Sequence, residues 1–190
     1  MTGEDSKGRT ETGRTETATL GGGCFWCTEA LFQRIEGVVS VVPGYAGGHV
    51  PHPTYAQVCG KGTGHAEVVQ VTFDPAAISF QEILEIFFAT HDPTTRDRQG
   101  NDVGPQYRSI VLARDAEQER IARDAIAALE AEGVFGRPIA TEIGRLGTFW
   151  PAEEEHRDYY RRNSTQPYCT FVIAPKLAKL RKGFAGRLGD

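Results

Sequence analysis

The residues with the clearest chemical potential are Gly21-Gly22-Gly23-Cys24-Phe25-Trp26-Cys27. A cysteine that opens a helix meets unpaired backbone N–H groups and the positive end of the helix dipole, and both favour the thiolate. Thiol pKa values in such places fall from about 8.5 into the range of roughly 3.5–7.5. The glycines turn the chain at no steric cost and leave the sulfur accessible. Phe25 and Trp26 bring apolar surface beside it, suited to a small apolar group on a substrate. Three readings of Cys24 and Cys27 compete: a nucleophile with a helper thiol, a Cys-x-x-Cys pair for general thiol–disulfide exchange, and half of the zinc site of an interaction module. The zinc reading lacks a second closely spaced ligand pair, because Cys59 and Cys169 stand alone.

Positioning this sulfur takes a short strand, Ala18 to Leu20, the glycine turn, and a helix from Cys24 or Phe25 to about Glu36, closed by Gly37. Val38 to Val42 reads as a strand and Gly44 to Gly64 as a long loop. From His65 to Phe73 the pattern alternates, so Glu67 shares a face with Val69, Val71 and Phe73. A carboxylate in that register either means that the alternation is misread or is a buried acid with chemical work to do. Ser79-Phe80-Gln81-Glu82 has the form of a capping box, and Phe80, Ile83, Leu84, Phe87 and Phe88 mark the apolar face of the helix behind it. His91 to Tyr107 is a long polar connection of the kind that carries function. A strand at Ser109–Ala113, a helix from Asp115 to about Glu132, a strand at Ile139–Ile143 and a short helix opened by Pro151 complete the reading. Strands alternate with helices between long loops. The expected class is therefore α+β, a single two-layer α/β sandwich with a mixed sheet and helices packed on it.

The chain of 190 residues predicts one domain, 18–190, behind a tail, 1–17, that lacks large apolar side chains and is expected to be disordered. A net charge of −4 gives no support to a nucleic-acid partner. Apolar runs are too short to span a membrane. The N-terminus shows no apolar leader, so a reducing, cytoplasmic compartment is expected. The basic cluster Lys176, Lys179, Arg181 and Lys182 reads as a solvated surface. Nothing in the sequence proposes a metal or a bound organic cofactor.

An ordered series of motifs carries more. Gly23-Cys24-Phe25-Trp26 is followed by Gly44-Tyr45-Ala46-Gly47-Gly48, Pro53-Thr54-Tyr55 and Gly64-His65-Ala66-Glu67, then by His91-Asp92-Pro93-Thr94, Gly100-Asn101-Asp102-Val103-Gly104 and Gln106-Tyr107-Arg108-Ser109. Over roughly Thr19 to Phe184 this series resembles the A-type peptide methionine sulfoxide reductases. The resemblance implies thiol-dependent reduction of the S epimer of methionine sulfoxide, through a cysteine sulfenic acid and then a disulfide. It makes Cys24 the nucleophile and Glu67 the acid that protonates the sulfoxide oxygen. Tyr55 and Tyr107 become donors to that oxygen, Phe25 and Trp26 the holders of the substrate methyl group, and Asp102 a residue that orders the site. His65 is a candidate neighbour of Glu67 on the substrate side. For the resolving thiol the resemblance favours Cys169 over Cys27, with both able to act in relay, and it makes thioredoxin the expected reductant. Cys27 departs from the commonest family pattern, which has glycine there.

Overall fold

The computed structural model describes residues 13–189. The tail expected to be disordered lies largely outside these residues, but its last five, 13–17, are described, and two of them are in a strand. Glu16 and Thr17 begin the first strand, opposite Phe73 and Thr72. The ladder bonds there come from the backbone, so polar side chains do not prevent pairing.

The chain runs β1 (Glu16–Gly21), α1 (Phe25–Phe32), β2 (Val38–Ala46), α2 (Tyr55–Cys59), β3 (Ala66–Phe73) and α3 (Phe80–Thr90). A small ribbon of β4 (Arg98–Gln99) and β5 (Asp102–Val103) follows, then β6 (Ile110–Ala113), α4 (Ala116–Ala131), β7 (Glu142–Arg145), β8 (Trp150–Pro151), α5 (Tyr159–Arg162) and α6 (Ala174–Gly183). The main sheet has six strands in the order β7-β6-β1-β3-β2-β8. Its neighbours are antiparallel except β6 and β7, so the sheet is mixed.

The alternation of β3 sorts the two faces. Val69, Val71 and Phe73, with Ala18 and Leu20 of β1, meet Phe25, Phe32, Ile83, Leu84, Phe87 and Leu180 from the helices. Ala66 and Val68 face the other way, with Ala46, Ile110 and Leu112, under Leu146 and Phe149. The helices thus form one layer against one face of the sheet, and Glu67 belongs to that face.

Three local readings change. The segment 44–64 contains α2, whose start is fixed by a capping box between Thr54 and Gln57. That is the same chemistry that starts α3 at Ser79 and Glu82. Helix α1 ends at Phe32, short of Glu36, and Gly37 enters the next strand with φ +89°. Pro151 lies in β8 at the sheet edge, paired with Gly44, where a missing N–H costs no ladder bond; the helical turns begin after it.

The turn into α1 depends on glycine. Gly23 has φ +98°, and a Cβ there would lie 2.8 Å from the side chain of Gln99. Gln99 in turn clasps the backbone of Asp92, accepting from its N–H at 3.0 Å and donating to its carbonyl at 2.9 Å. The long polar connection therefore packs directly against the cysteine turn.

Candidate active site

Cys24 is the N-cap of α1, with extended backbone (φ −61°, ψ 129°). Directly after it, the Phe25 N–H donates to Glu67 Oε2 at 3.1 Å. This bond crosses from helix to sheet and holds the acid beside the sulfur. Glu67 is 1% exposed, and its Oε1 has no hydrogen-bond partner. Burial raises the Glu67 pKa to about 8; the Phe25 N–H opposes this, and the charges of Asp102 and Cys27 reinforce it. The group is thus a neutral carboxylic acid near pH 7.

The electrostatics of the sulfur correct the expectation of a Cys24 thiolate. Burial pushes the Cys24 thiol well up. The hydrogen bond with Cys27 and the charge of Glu67 act in the same direction, and the backbone N–H of Trp26 is the opposing influence. The helix tip still favours the anion, but Cys24 is 8% exposed and the cost of desolvating a thiolate outweighs that help. Cys27 is pulled down to about 7, first by the hydrogen bond that it accepts from Cys24, against its own burial, with Lys176 and the Tyr168 hydroxyl assisting. Cys24 is thus the thiol of the pair that burial holds up, and Cys27 the one its neighbours hold down.

The surroundings of Cys24 set Cys27 beside it. Cys27 is the thiol hydrogen-bonded to Cys24, whereas buried Cys169, at the start of a π-helical turn (Cys169–Ile173), feels the charge of Cys27. All four cysteines are free.

Tyr55 and Tyr107 both feel the charge of Glu67. Burial, then the charge of Glu67, raises both phenols far above their ordinary range, so both keep their protons and are donors. Tyr55 opens α2, and its backbone N–H donates to Glu153 Oε2 at 2.9 Å. Tyr107 ends a 3-10 turn (Pro105–Tyr107) held by Arg108, which donates to the carbonyls of Pro105 at 2.8 Å and Gly64 at 2.9 Å. Asp102 accepts the Tyr168 hydroxyl at 2.7 Å, and that hydroxyl lies 3.6 Å from Cys27 Sγ. Phe25 stacks on Tyr55, ring centroids 6.3 Å apart, and Trp26 on Tyr55 at 6.4 Å.

His65 is placed elsewhere. Its Nδ1 accepts from the Gly48 N–H at 3.0 Å, and its Nε2 lies 2.7 Å from the Val50 carbonyl. Both ring nitrogens are occupied with the loop after β2, so His65 anchors that loop and does not bond Glu67. A side chain at position 48 would collide with the His65 backbone and ring, which explains the glycine there.

The sequence reading missed a segment that closes the site from the far end of the chain. Glu153 accepts the Tyr45 hydroxyl at 2.9 Å as well as the Tyr55 N–H. His156 Nδ1 accepts the Trp26 indole N–H at 3.1 Å, and Tyr159 lies flat on Trp26 with centroids 3.7 Å apart. Glu153 and His156 sit in the Glu- and Arg-rich stretch read as a short helix behind Pro151, and nothing local in it marks them. Among the described residues, metal-like spacing occurs only at Glu153, Glu155 and His156, with no cysteine included. The Nδ1 lone pair of His156 is already taken by Trp26, and these residues do not fit a metal centre.

A sulfur nucleophile beside a neutral buried acid defines the site of a thiol-based oxidoreductase. The chain belongs to the peptide methionine sulfoxide reductase family, whose model matches residues 16–187. It is 61% identical over 183 residues to the peptide methionine sulfoxide reductase MsrA of Ralstonia nicotianae, covering 94% of this chain and 96% of that protein. Its fold is similar to that of reduced Mxr1 from Saccharomyces cerevisiae, with a TM-score of 0.75 and 33% identity over 86% of this chain and 94% of that one. It is also similar to the same yeast protein in complex with Trx2, with a TM-score of 0.54 and 25% identity over 81% of this chain and 91% of that one. No described helix is long and apolar enough to cross a membrane.

Proposed function

We propose that this chain reduces the S epimer of methionine sulfoxide, free or within proteins, with Cys24 as nucleophile and Glu67 as general acid. The observation that carries the reading is the buried Glu67 carboxyl, tied by one oxygen to the residue after Cys24 and bare at the other. Sulfoxide oxygen leaves only as it is protonated, and a carboxyl with a pKa near 8 can supply that proton at neutral pH. Tyr55 and Tyr107 share the charge on oxygen without adding a competing anion. Phe25 and Trp26 hold the methyl group.

The protons balance. Cys24 passes its proton to the Cys27 thiolate and attacks the sulfoxide sulfur. The oxygen takes the Glu67 proton and moves to Cys24, giving a sulfenic acid, free methionine or a methionyl residue, and the Glu67 carboxylate. The Cys27 thiol then displaces water from the sulfenic acid to form the Cys24–Cys27 disulfide, and solvent restores the proton of Glu67. Cys169 attacks Cys27 next, which frees Cys24 and moves the disulfide toward the C-terminal segment. Thioredoxin reduces it there, a role supported by the yeast relative solved with Trx2. A reducing compartment, the cytoplasm, suits four free cysteines.

The test is consumption of the two separated epimers with dithiothreitol. The S epimer should be consumed and the R epimer left; equal use of both, or of neither, refutes the reading. The relay makes a separate prediction. Cys169→Ser should still release one equivalent of methionine and form the Cys24–Cys27 disulfide, but lose turnover with thioredoxin. Cys27→Ser should stop at the Cys24 sulfenic acid. Peptide mapping after one turnover checks both, and a Cys24–Cys169 linkage in the wild-type chain at that stage would refute the order.

General thiol–disulfide exchange, the competing enzymatic reading, gives no task to Glu67, Tyr55 and Tyr107. The zinc reading finds no ligand group around Cys24 and Cys27 among the described residues.

A further inference from the structure

Trp26 is held by a segment that cannot hold itself. Tyr159, which lies on the indole with planes 5° apart, is the first residue of α5, a single turn of four residues. An isolated turn of that length has no stability of its own. It begins at Asp158, whose backbone is left-handed (φ 51°) and whose side chain makes no capping bond. The cap comes instead from α1. Glu29 Oε1 accepts the Asp158 N–H, next to Tyr159, at 3.0 Å. Gln33, one turn further along α1, donates to Asp158 Oδ1 at 2.7 Å.

Glu29 is 2% exposed, which is costly for a carboxyl. It is at i+3 from Trp26, so the two side chains leave the same side of α1 toward the same segment. The sulfur chemistry does not use it. A buried carboxyl that accepts the N–H of the residue before Tyr159 has one evident effect here, which is to fix where Tyr159 sits.

We propose that Glu29 is a positioning residue for substrate binding: by capping the turn at Asp158 it seats Tyr159 flat on Trp26 and so sets the wall of the methyl pocket. The inference rests on the reading of Trp26 as that wall. The chain has two tryptophans, Trp26 and Trp150, so a Trp150→Phe background makes indole emission report on Trp26 alone.

In that background, Glu29→Ala is expected to raise KM for methionine sulfoxide by roughly 2- to 30-fold, the range of a lost helix cap, with kcat changed far less. Trp26 emission should shift to the red as Tyr159 leaves. Glu29→Gln keeps an oxygen for the Asp158 N–H and should restore most of the affinity and the emission. Tyr159→Ala should match Glu29→Ala, and the double variant should be no worse than either single one, because both remove one contact. Additive effects, or an unchanged KM in Glu29→Ala, would overturn the proposal. If Glu29→Ala does not fold, Glu29→Asp, too short to reach Asp158, carries the same expectations. Trp26→Ala separates the two readings: if it leaves KM unchanged, the pocket assignment is wrong, whatever Glu29 does to the emission.

Discussion

Glu67→Gln is expected to lower kcat for methionine sulfoxide by about 10²- to 10⁴-fold, the span of a lost general acid, with KM little changed. The amide has the size of the carboxyl and can still accept the Phe25 N–H, so the helix start and the aromatic wall stay in place. It can donate a hydrogen bond but cannot give up a proton, and the oxygen must then leave as a far poorer group. The pH dependence follows with a definite sign. The acid works in its protonated form, and burial holds its pKa up at about 8. The wild-type rate should be high near neutrality and fall as pH rises through about 8. Measured as methionine released in a single turnover without reductant, that falling limb should vanish in Glu67→Gln. A variant that keeps the wild-type rate, or a wild-type profile flat through that region, would remove Glu67 from the role.

Cys24→Ser should bring methionine formation down to the uncatalysed background, the largest loss of any single change. The reason lies in the product as much as in the nucleophile. Sulfur can take the oxygen as a sulfenic acid, whereas a serine oxygen would have to become a hydroperoxide, with a weak O–O bond. Glu67, both phenols and the aromatic wall all remain in the variant. Cys27 also remains, with its pKa pulled down to about 7 beside Tyr168. A full equivalent of methionine from Cys24→Ser would show that Cys27 is the nucleophile and that the order of the sulfurs is inverted. No methionine from Cys24→Ser, together with one equivalent from Cys27→Ser, fixes the order as proposed.

The resting proton on Cys24 bears on both experiments. A thiol buried beside an acid is protected from casual oxidation, and it becomes a nucleophile when its proton passes to Cys27. The helix tip contributes the Trp26 N–H, but burial outweighs it. An argument from sequence position alone reverses this sign, because it registers the helix start and not the depth of the pocket.

What the order of residues determined by itself was local or periodic. A strict alternation from Glu67 to Phe73 put the acid on the apolar face, and the glycine turn put Cys24 at the start of a helix. The Ser79 capping box and the apolar spacing behind it marked α3, and an ordered set of motifs identified the family. The first three signals lie within a few residues each, where backbone geometry dictates the outcome, and the last lies in the order of short motifs along the chain. The partners of Trp26 were decided by tertiary structure: His156 and Tyr159 lie far along the chain and arrive only when β8 joins the sheet edge beside Tyr45. The turn of His65 toward Gly48 and the burial that raises the Cys24 thiol have the same origin. Desolvation and long-range contact depend on what the rest of the chain packs against a group, and no short stretch of sequence carries that information.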